Sequence, residues 1–251
     1  MRAVIFAAGK STRLGELTRE TPKSCLYIND NETILERSLR LLKKYDFEEI
    51  FIITGFKESV IKKLISKHKQ SFKCIETIFN KEYETKNNYY TALLCADLLG
   101  TDTLILNSDI VYSEKILKYV KKEMQRSDES FMVIDNSKQS IDEDMKVYIE
   151  RKSQKITRIN KKLDNKLAFG EYIGIMRVND YDLTYFKNQL NFMLKNNETD
   201  RYYEDALDNI LEKIDIYPLS TKGEEWTEID FPEDYQKAKN LLCVNQVSLQ
   251  N

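Results

Sequence analysis

The chain has 251 residues and is poor in glycine and proline, with 7 and 3, which excludes a collagen-like repeat or a Pro/Gly-rich disordered chain. Its 39 Lys and Arg nearly balance 41 Asp and Glu, giving a net charge of −2, so no global field favours nucleic acid or an anionic membrane surface. The 41% of hydrophobic residues is enough for a packed core.

Ala3–Ala8 opens the chain as a short apolar run that predicts a buried strand. It is too short to cross a membrane and lacks a signal-peptide cleavage pattern, so the expectation is a cytoplasmic protein with no membrane insertion. Ile34–Tyr45 carries Ile34, Leu35, Leu39 and Leu42 at helical spacing, and Ile50–Thr54 predicts a second buried strand. A helix over Ser59–Lys67, a strand over Lys73–Phe79 and a helix over Asn88–Leu99 follow. Then come a strand at Thr103–Asn107 and a helix near Ser113–Gln125. Unbroken apolar strands separated by helices predict a mainly parallel sheet covered on both faces. After Ser130 the rhythm changes to shorter strands at Phe131–Asp135, Lys146–Glu150, Ile156–Asn160 and Tyr172–Val178. Helices over Tyr181–Lys195 and Tyr202–Lys213, a strand at Ile214–Leu219 and a helix from Pro232 to about Leu242 complete the chain. No linker or repeat interrupts it, so the expectation is one domain over 1–251, with 1–129 forming one half and 130–251 the other.

Several chemistries are disfavoured by what is missing. Cys25, Cys74, Cys95 and Cys243 never approach C-x-x-C spacing, and His68 is the single histidine. A zinc site would lack ligands, and a triad would rest on one imidazole in the basic stretch Lys67-His68-Lys69. The cysteines are expected to be reduced.

The loop after the first strand reads Ala7-Ala8-Gly9-Lys10-Ser11-Thr12-Arg13-Leu14-Gly15. A glycine-containing loop at a strand end can turn backbone N–H groups toward an anion. A P-loop would need glycine where Val4 stands, and a G-x-G-x-x-G fingerprint fails at Ser11 and Leu14. The pattern A-A-G-x-(G/S)-(S/T)-R-(L/M) fits at every position, and Thr21-Pro22-Lys23 follows ten residues later.

On these residues the chain resembles the nucleotidyltransferases of the sugar-phosphate type. It is most similar to the small cytidylyltransferases acting on phosphocholine, 2-aminoethylphosphonate or inositol 1-phosphate. Asn107-Ser108-Asp109, Gly170-Glu171-Tyr172-Ile173-Gly174 and Trp226 to Asp234 extend the likeness over nearly the whole chain. The resemblance implies a Rossmann-like α/β fold with a mixed sheet. It also implies a nucleotide-binding half at 1–129 and an acceptor-binding, metal-completing half at 130–251. The partners it implies are a nucleoside triphosphate, with CTP favoured, and a small phosphorylated or phosphonate acceptor. No nucleic acid is expected, and the protein is expected to be a monomer or homodimer.

By the same resemblance Ala7, Ala8, Gly9, Ser11, Thr12, Asn87 and Asn88 face the nucleotide, with Arg13 and Lys23 as catalytic cations. Asp109 and Asp230 would hold Mg²⁺. Lys146, Glu171, Tyr203, Glu204 and Trp226 would meet the acceptor, and Lys161 is a further lysine in that region. Chemistry agrees in outline: joining two polyanions needs a hard cation on carboxylates and basic groups on the phosphates, but no histidine, because the attacking oxygen is already ionised. A carboxylate just past a parallel strand, as Asp109 is, stands where α/β sheets bind ligands. Asp230 has a competing explanation as a cap for the helix after Pro232, and one of Asn87 and Asn88 could likewise begin a helix. Two other functions fit the same fold: a sugar-1-phosphate nucleotidyltransferase using UTP, GTP or dTTP, and a non-catalytic nucleotide-binding regulatory protein.

Overall fold

The computed structural model describes residues 1–247, with side chains as far as Leu241, so Cys243 and the last four residues lie outside the account. The strands are β1 Arg2–Ala7, β2 Glu49–Thr54, β3 Cys74–Phe79, β4 Thr103–Asn107, β5 Ile110–Tyr112, β6 Ser130–Asp135, β7 Lys146–Ile149, β8 Ile156–Asn160, β9 Gly170–Arg177, β10 Ile216–Ser220 and β11 Trp226–Glu228. The helices are α1 Ile34–Lys44, α2 Glu58–Ser66, α3 Asn88–Leu94, α4 Glu114–Arg126, α5 Asp180–Lys195, α6 Tyr203–Asp208 and α7 Pro232–Val247.

The main sheet runs in the order β10-β6-β9-β4-β1-β2-β3, with the β7–β8 hairpin joined to it through β9. β1, β2, β3 and β4 are mutually parallel, and β9 runs antiparallel between β4 and β6. The fold is a mixed, mainly parallel α/β sheet, as its sequence rhythm implies. Side chains alternate across a strand, and both faces of β1 are apolar because both are covered. Ala3, Ile5 and Ala7 enter a core with α1, α2 and α4; Val4 and Phe6 enter another with α3, α5 and α6.

The ligand-binding edge follows from this order. From β1 the chain passes to β2 on one side and reaches β4 on the other, so loops leave the C-terminal ends of β1 and β4 in opposite directions and open a crevice between them. A third, smaller core of Leu14, Leu26, Ile28, Ile34, Val111, Ile229 and Ala238 packs the first loop against β5 and α7. It thereby fixes residues from both ends of the chain over that crevice.

Local chemistry sets the helix starts. Thr33 and Glu36 form a reciprocal capping box on α1. Asn87 caps α3, its side chain accepting from the Asn88 N–H.

The structure shortens two predicted helices. The Asn88 helix stops at Leu94 and continues as a 3-10 turn over Ala96–Leu98, and the Tyr202 helix spans only Tyr203–Asp208. The two-stranded antiparallel ribbon of β5 and β11 has no counterpart in the sequence prediction. Strands of three residues are too short to display a period.

Gly174 lies within β9 at φ +81°, and a Cβ there would come within 2.7 Å of the Asn107 amide nitrogen. Gly174→Ala is therefore expected to cost about 2–4 kcal/mol by urea unfolding, from strain and steric overlap together. A loss under about 0.5 kcal/mol would contradict the tight β4–β9 contact. Ser11, at φ 52°, should show the reverse: Ser11→Gly is expected to leave stability unchanged or raise it by up to about 1 kcal/mol.

Candidate active site

The crevice is a cleft of about 310 Å³ at the C-terminal edge of the sheet. Its floor is the end of β1 and the turn beyond, from Phe6 to Gly9, together with Asn107, Ser108 and Asp109 past β4. Ser11 adopts a left-handed conformation at φ 52°, ψ 46° and starts a 3-10 turn over Thr12–Thr18. That geometry suits glycine better than serine. The Ser11 carbonyl is held by the Leu14 N–H at 3.1 Å and the Thr18 hydroxyl at 2.9 Å, which fixes the loop.

At one end of the cleft Lys23 stands between two carboxylates. Its Nζ lies 3.0 Å from Asp109 Oδ2 and 3.0 Å from Asp230 Oδ1, and it also donates to the Ile229 carbonyl. The lysine is 7% exposed. Burial alone would lower its pKa, but the charges of Asp109 and Asp230 outweigh it and hold the value above the ordinary one. Arg13 Nη2 reaches the other oxygen of Asp230 at 2.7 Å, and its guanidinium stacks over Phe231 at 5.2 Å.

Glu228 completes a set of three carboxylates whose oxygens, one from each of Asp109, Glu228 and Asp230, lie within 4.8 Å of one another. Oxygens sharing a Mg²⁺ at about 2.1 Å are separated by roughly 3–4 Å, so a small contraction brings these three onto one ion. Asp109 Oδ1 is buried without a hydrogen-bond partner, as a ligand atom awaiting a cation would be. Hard oxygen donors and an orphaned one fit a divalent metal of the Mg²⁺ type. Glu228 is exposed as a residue, with its carboxyl among the charges of Asp109, Asp230 and Lys23. Desolvation first, then the charges of Asp109 and Asp230, push its pKa to about 8.

Asp230 is not a cap. Asp234 accepts the Asp230 and Phe231 N–H groups at the start of α7, which leaves the Asp230 carboxylate free for Lys23 and Arg13.

The cleft is also lined by Asn87, Asn88, Glu143, Met145, Lys161, Tyr172, Tyr202 and Glu204, among others. Asn88 Oδ1 accepts the Tyr203 N–H at 2.9 Å, tying α3 to α6. Glu204 is 4% exposed, and its Oε2 has no hydrogen-bond partner. Burial pushes its carboxyl to about 7, against the opposing pull of its own backbone and of Tyr203. Lys161 Nζ stands 5.7 Å from the Tyr202 ring centre.

The structure brings Ala7, Ala8, Gly9, Ser11, Arg13, Lys23, Asn87, Asn88, Asp109, Glu204 and Asp230 to this one cleft. Five expected residues do not line it. Thr12 is exposed at the start of the 3-10 turn. Lys146 is buried and its Nζ donates to the Ile141 and Asp142 carbonyls, so it braces the preceding loop. Tyr203 is fully buried, with its hydroxyl bonded to those of Tyr172 and the Asn107 side chain, and therefore supports the floor. Glu171 and Trp226 turn toward Asp135 and Lys138 instead. Lys10 pairs with Glu84 at 2.6 Å away from the floor. Glu228 carried no role in the sequence reading, although its place two residues before Asp230 is the signal that it shares a strand end with the metal position.

With this geometry in view, the family relationship is direct. Residues 2–243 match the nucleotidyl transferase family, and the chain belongs to it. It is an enzyme of the nucleotidyltransferase class, acting on a nucleoside triphosphate and a phosphorylated acceptor. The choline-phosphate cytidylyltransferase of Streptococcus pneumoniae is 24% identical over 270 residues, covering 96% of this chain and 98% of that one. The CTP:phosphoglutamine cytidylyltransferase of Campylobacter jejuni is 30% identical over 144 residues, 55% of this chain and 53% of its own. The solved CTP:phosphocholine cytidylyltransferase of Streptococcus pneumoniae superposes with a TM-score of 0.76 at 21% identity, covering 96% and 98% of the two chains, and shares the fold.

Lys23→Met removes the cation between two part-buried carboxylates and is expected to cost about 1–3 kcal/mol at neutral pH without divalent metal. Millimolar Mg²⁺ should recover part of the loss; unfolding curves that ignore both changes would contradict the bridging role. For Glu204 the sign is opposite to that of a paired acid. The folded chain keeps a proton up to about pH 7, whereas the unfolded chain releases it near roughly 4.3. The stability it contributes is full below the unfolded value and is lost as pH rises through the folded one. Glu171, also pushed to about 7 by burial, adds a second contribution of the same sign. Glu204→Gln should therefore lose less stability between about pH 4.5 and 7 than the parent chain, and an unchanged slope would contradict its burial as an acid.

Proposed function

We propose that the chain transfers a cytidylyl group from CTP to a small phosphorylated alcohol or phosphonate and releases pyrophosphate, with Mg²⁺ as cofactor. The observation that carries this is the meeting of Asp109, Glu228 and Asp230 with Lys23 and Arg13 at the mouth of a backbone cradle. CTP is favoured because several of the relatives similar to this chain, those of Streptococcus pneumoniae and Campylobacter jejuni among them, are named as cytidylyltransferases.

The chemistry follows from charge. An oxygen of the acceptor's phosphate or phosphonate attacks the α-phosphorus of CTP; the bond to the bridging oxygen of the β-phosphate breaks, and pyrophosphate departs with its electron pair. The nucleophile is already anionic near neutral pH, so no general base is needed. Lys23 and Arg13 are placed to balance charge that builds on the phosphates, and the Gly9–Ser11 backbone offers N–H groups to the triphosphate. Bound Mg²⁺, held by Asp109, Asp230 and Glu228, would neutralise phosphate oxygens. In this reading residues 1–129 bind the nucleotide and 130–251 supply the acceptor side and complete the metal site. Glu204, with its unpartnered oxygen, offers an acceptor for an N–H or O–H of the substrate.

Among the described residues no helix is long and apolar enough to cross a membrane, and Cys25, Cys74 and Cys95 are free. Both are consistent with a cytoplasmic enzyme.

A pyrophosphate-release screen of CTP, UTP, GTP and dTTP against phosphocholine, aminoethylphosphonate, inositol 1-phosphate and hexose 1-phosphates tests the proposal. Turnover is expected with CTP and a small phosphorylated or phosphonate acceptor, and only with divalent metal. UTP with a hexose phosphate as the best pair would overturn the substrate assignment, and no turnover with any pair would favour a regulatory protein. Asp109→Ala is expected to lower kcat at least about 100-fold; full activity would remove the metal site from the mechanism.

A further inference from the structure

Phosphoryl chemistry at the metal position gives no task to a buried carboxylate elsewhere in the same cleft, that of Glu204. It is the second residue of α6, and the backbone on either side of it is held. The Tyr203 N–H donates to Asn88 Oδ1 at 2.9 Å, and Asp205 Oδ2 accepts the Tyr202 N–H at 2.8 Å. Glu204 is 4% exposed, lines the cleft, and leaves Oε2 buried with no hydrogen-bond partner. Its charge has no direct partner either. Among the described residues no ammonium or guanidinium forms an ion pair with it: Arg201 is engaged by Glu198 and Asp205, and Lys161 stands over the Tyr202 ring. Lys161 lowers the Glu204 pKa by its charge and Asp205 raises it, but desolvation outweighs both.

A carboxylate taken out of water is stabilised by two things, an opposite charge and hydrogen-bond donors for its lone pairs. Three small end groups of a phosphorylated acceptor differ in just these respects. A hydroxyl supplies a donor without a charge. A quaternary ammonium supplies a charge without a donor, and would leave Oε2 unpaired beneath it. An ammonium that keeps an N–H supplies both, as a charge-assisted bond. Tyr172 and Tyr202 also line the cleft, and aromatic faces attract either kind of ammonium. They favour a cation over a hydroxyl and leave the choice between the two cations to Glu204.

We infer that Glu204 is a specificity residue for an N–H-bearing ammonium at the end of the acceptor away from its phosphate or phosphonate, and that the cleft ranks such acceptors above their quaternary and hydroxyl counterparts. The inference rests on the cytidylyl-transfer reading and narrows its acceptor. Phosphocholine, with no N–H to give, is accordingly a poor ligand of this cleft.

Four acceptors that share a phosphate and a two-carbon spacer make the test: phosphoethanolamine, its N,N-dimethyl derivative, phosphocholine and 2-hydroxyethyl phosphate. Methylation keeps the charge while removing N–H groups, and the hydroxyl removes the charge. Binding to the full chain is measured by isothermal titration calorimetry with Mg²⁺ and a non-reacting CTP analogue present. Phosphoethanolamine and its dimethyl derivative are expected to bind at least about tenfold more tightly than phosphocholine and 2-hydroxyethyl phosphate. In Glu204→Met, with its fold checked by circular dichroism, the preference for phosphoethanolamine over phosphocholine should disappear. The series on the parent protein needs no substitution, so a variant that fails to fold leaves the test intact. Phosphocholine or 2-hydroxyethyl phosphate binding as tightly as phosphoethanolamine, no binding by any of the four, or an unchanged ranking in folded Glu204→Met would overturn the inference. Pyrophosphate release is scored separately. Turnover of CTP with phosphocholine preferred would overturn the Glu204 assignment and leave cytidylyl transfer standing. The expected ranking without turnover would remove cytidylyl transfer and leave the ammonium site.

Discussion

The ammonium of Lys23 between Asp109 and Asp230 is the contact on which the rest of the site depends. It joins residues separated by 207 positions and closes the first loop, the end of β4 and the start of α7 around one point. The requirement behind it is simple: carboxylates gathered to bind a cation repel one another when none is present. A buried lysine resolves that repulsion and keeps the carboxylates in place. The small core of Leu14, Val111, Ile229 and Ala238 does the corresponding apolar work, since it sets the loop and α7 at the distance the lysine spans.

From that point the charges of the cleft divide by role. Asp109, Glu228 and Asp230 concentrate negative charge at one end, where Lys23 and Arg13 already balance part of it. The two basic groups therefore stand within reach both of their carboxylate partners and of an incoming polyphosphate. Glu204, Lys161 and Tyr202 line the same cleft and add a mixed polar and aromatic surface.

Much of the fold was legible because a doubly covered parallel sheet writes itself as apolar runs, and β1, β2 and β4 are such runs. The loop after β1 was legible too, since Ala7–Leu14 is one continuous, chemically constrained stretch and Lys23 follows nine residues on. The residues expected to meet an acceptor were harder. Residues such as Lys146 and Tyr203 fall in the expected segments, yet side-chain direction decides whether a residue faces a ligand or braces the scaffold, and direction depends on register with distant strands. Lys146 lies opposite Glu171 on β9 and turns back to its own loop. Trp226 lies on a three-residue strand whose partner β5 is more than a hundred residues away, so nothing local reveals its facing. Glu228 was missed because its place two residues before Asp230 gains its meaning once Asp109 approaches both across the fold.

The central claim is that Asp109 and Asp230 hold one divalent cation that the phosphates of the nucleotide share. Electron paramagnetic resonance with Mn²⁺, titrated into the protein in the presence of a non-reacting CTP analogue, addresses it directly. The expected result is one tightly bound Mn²⁺ per chain that is lost in Asp230→Asn. Equal Mn²⁺ affinity in the parent and Asp230→Asn proteins would contradict the account.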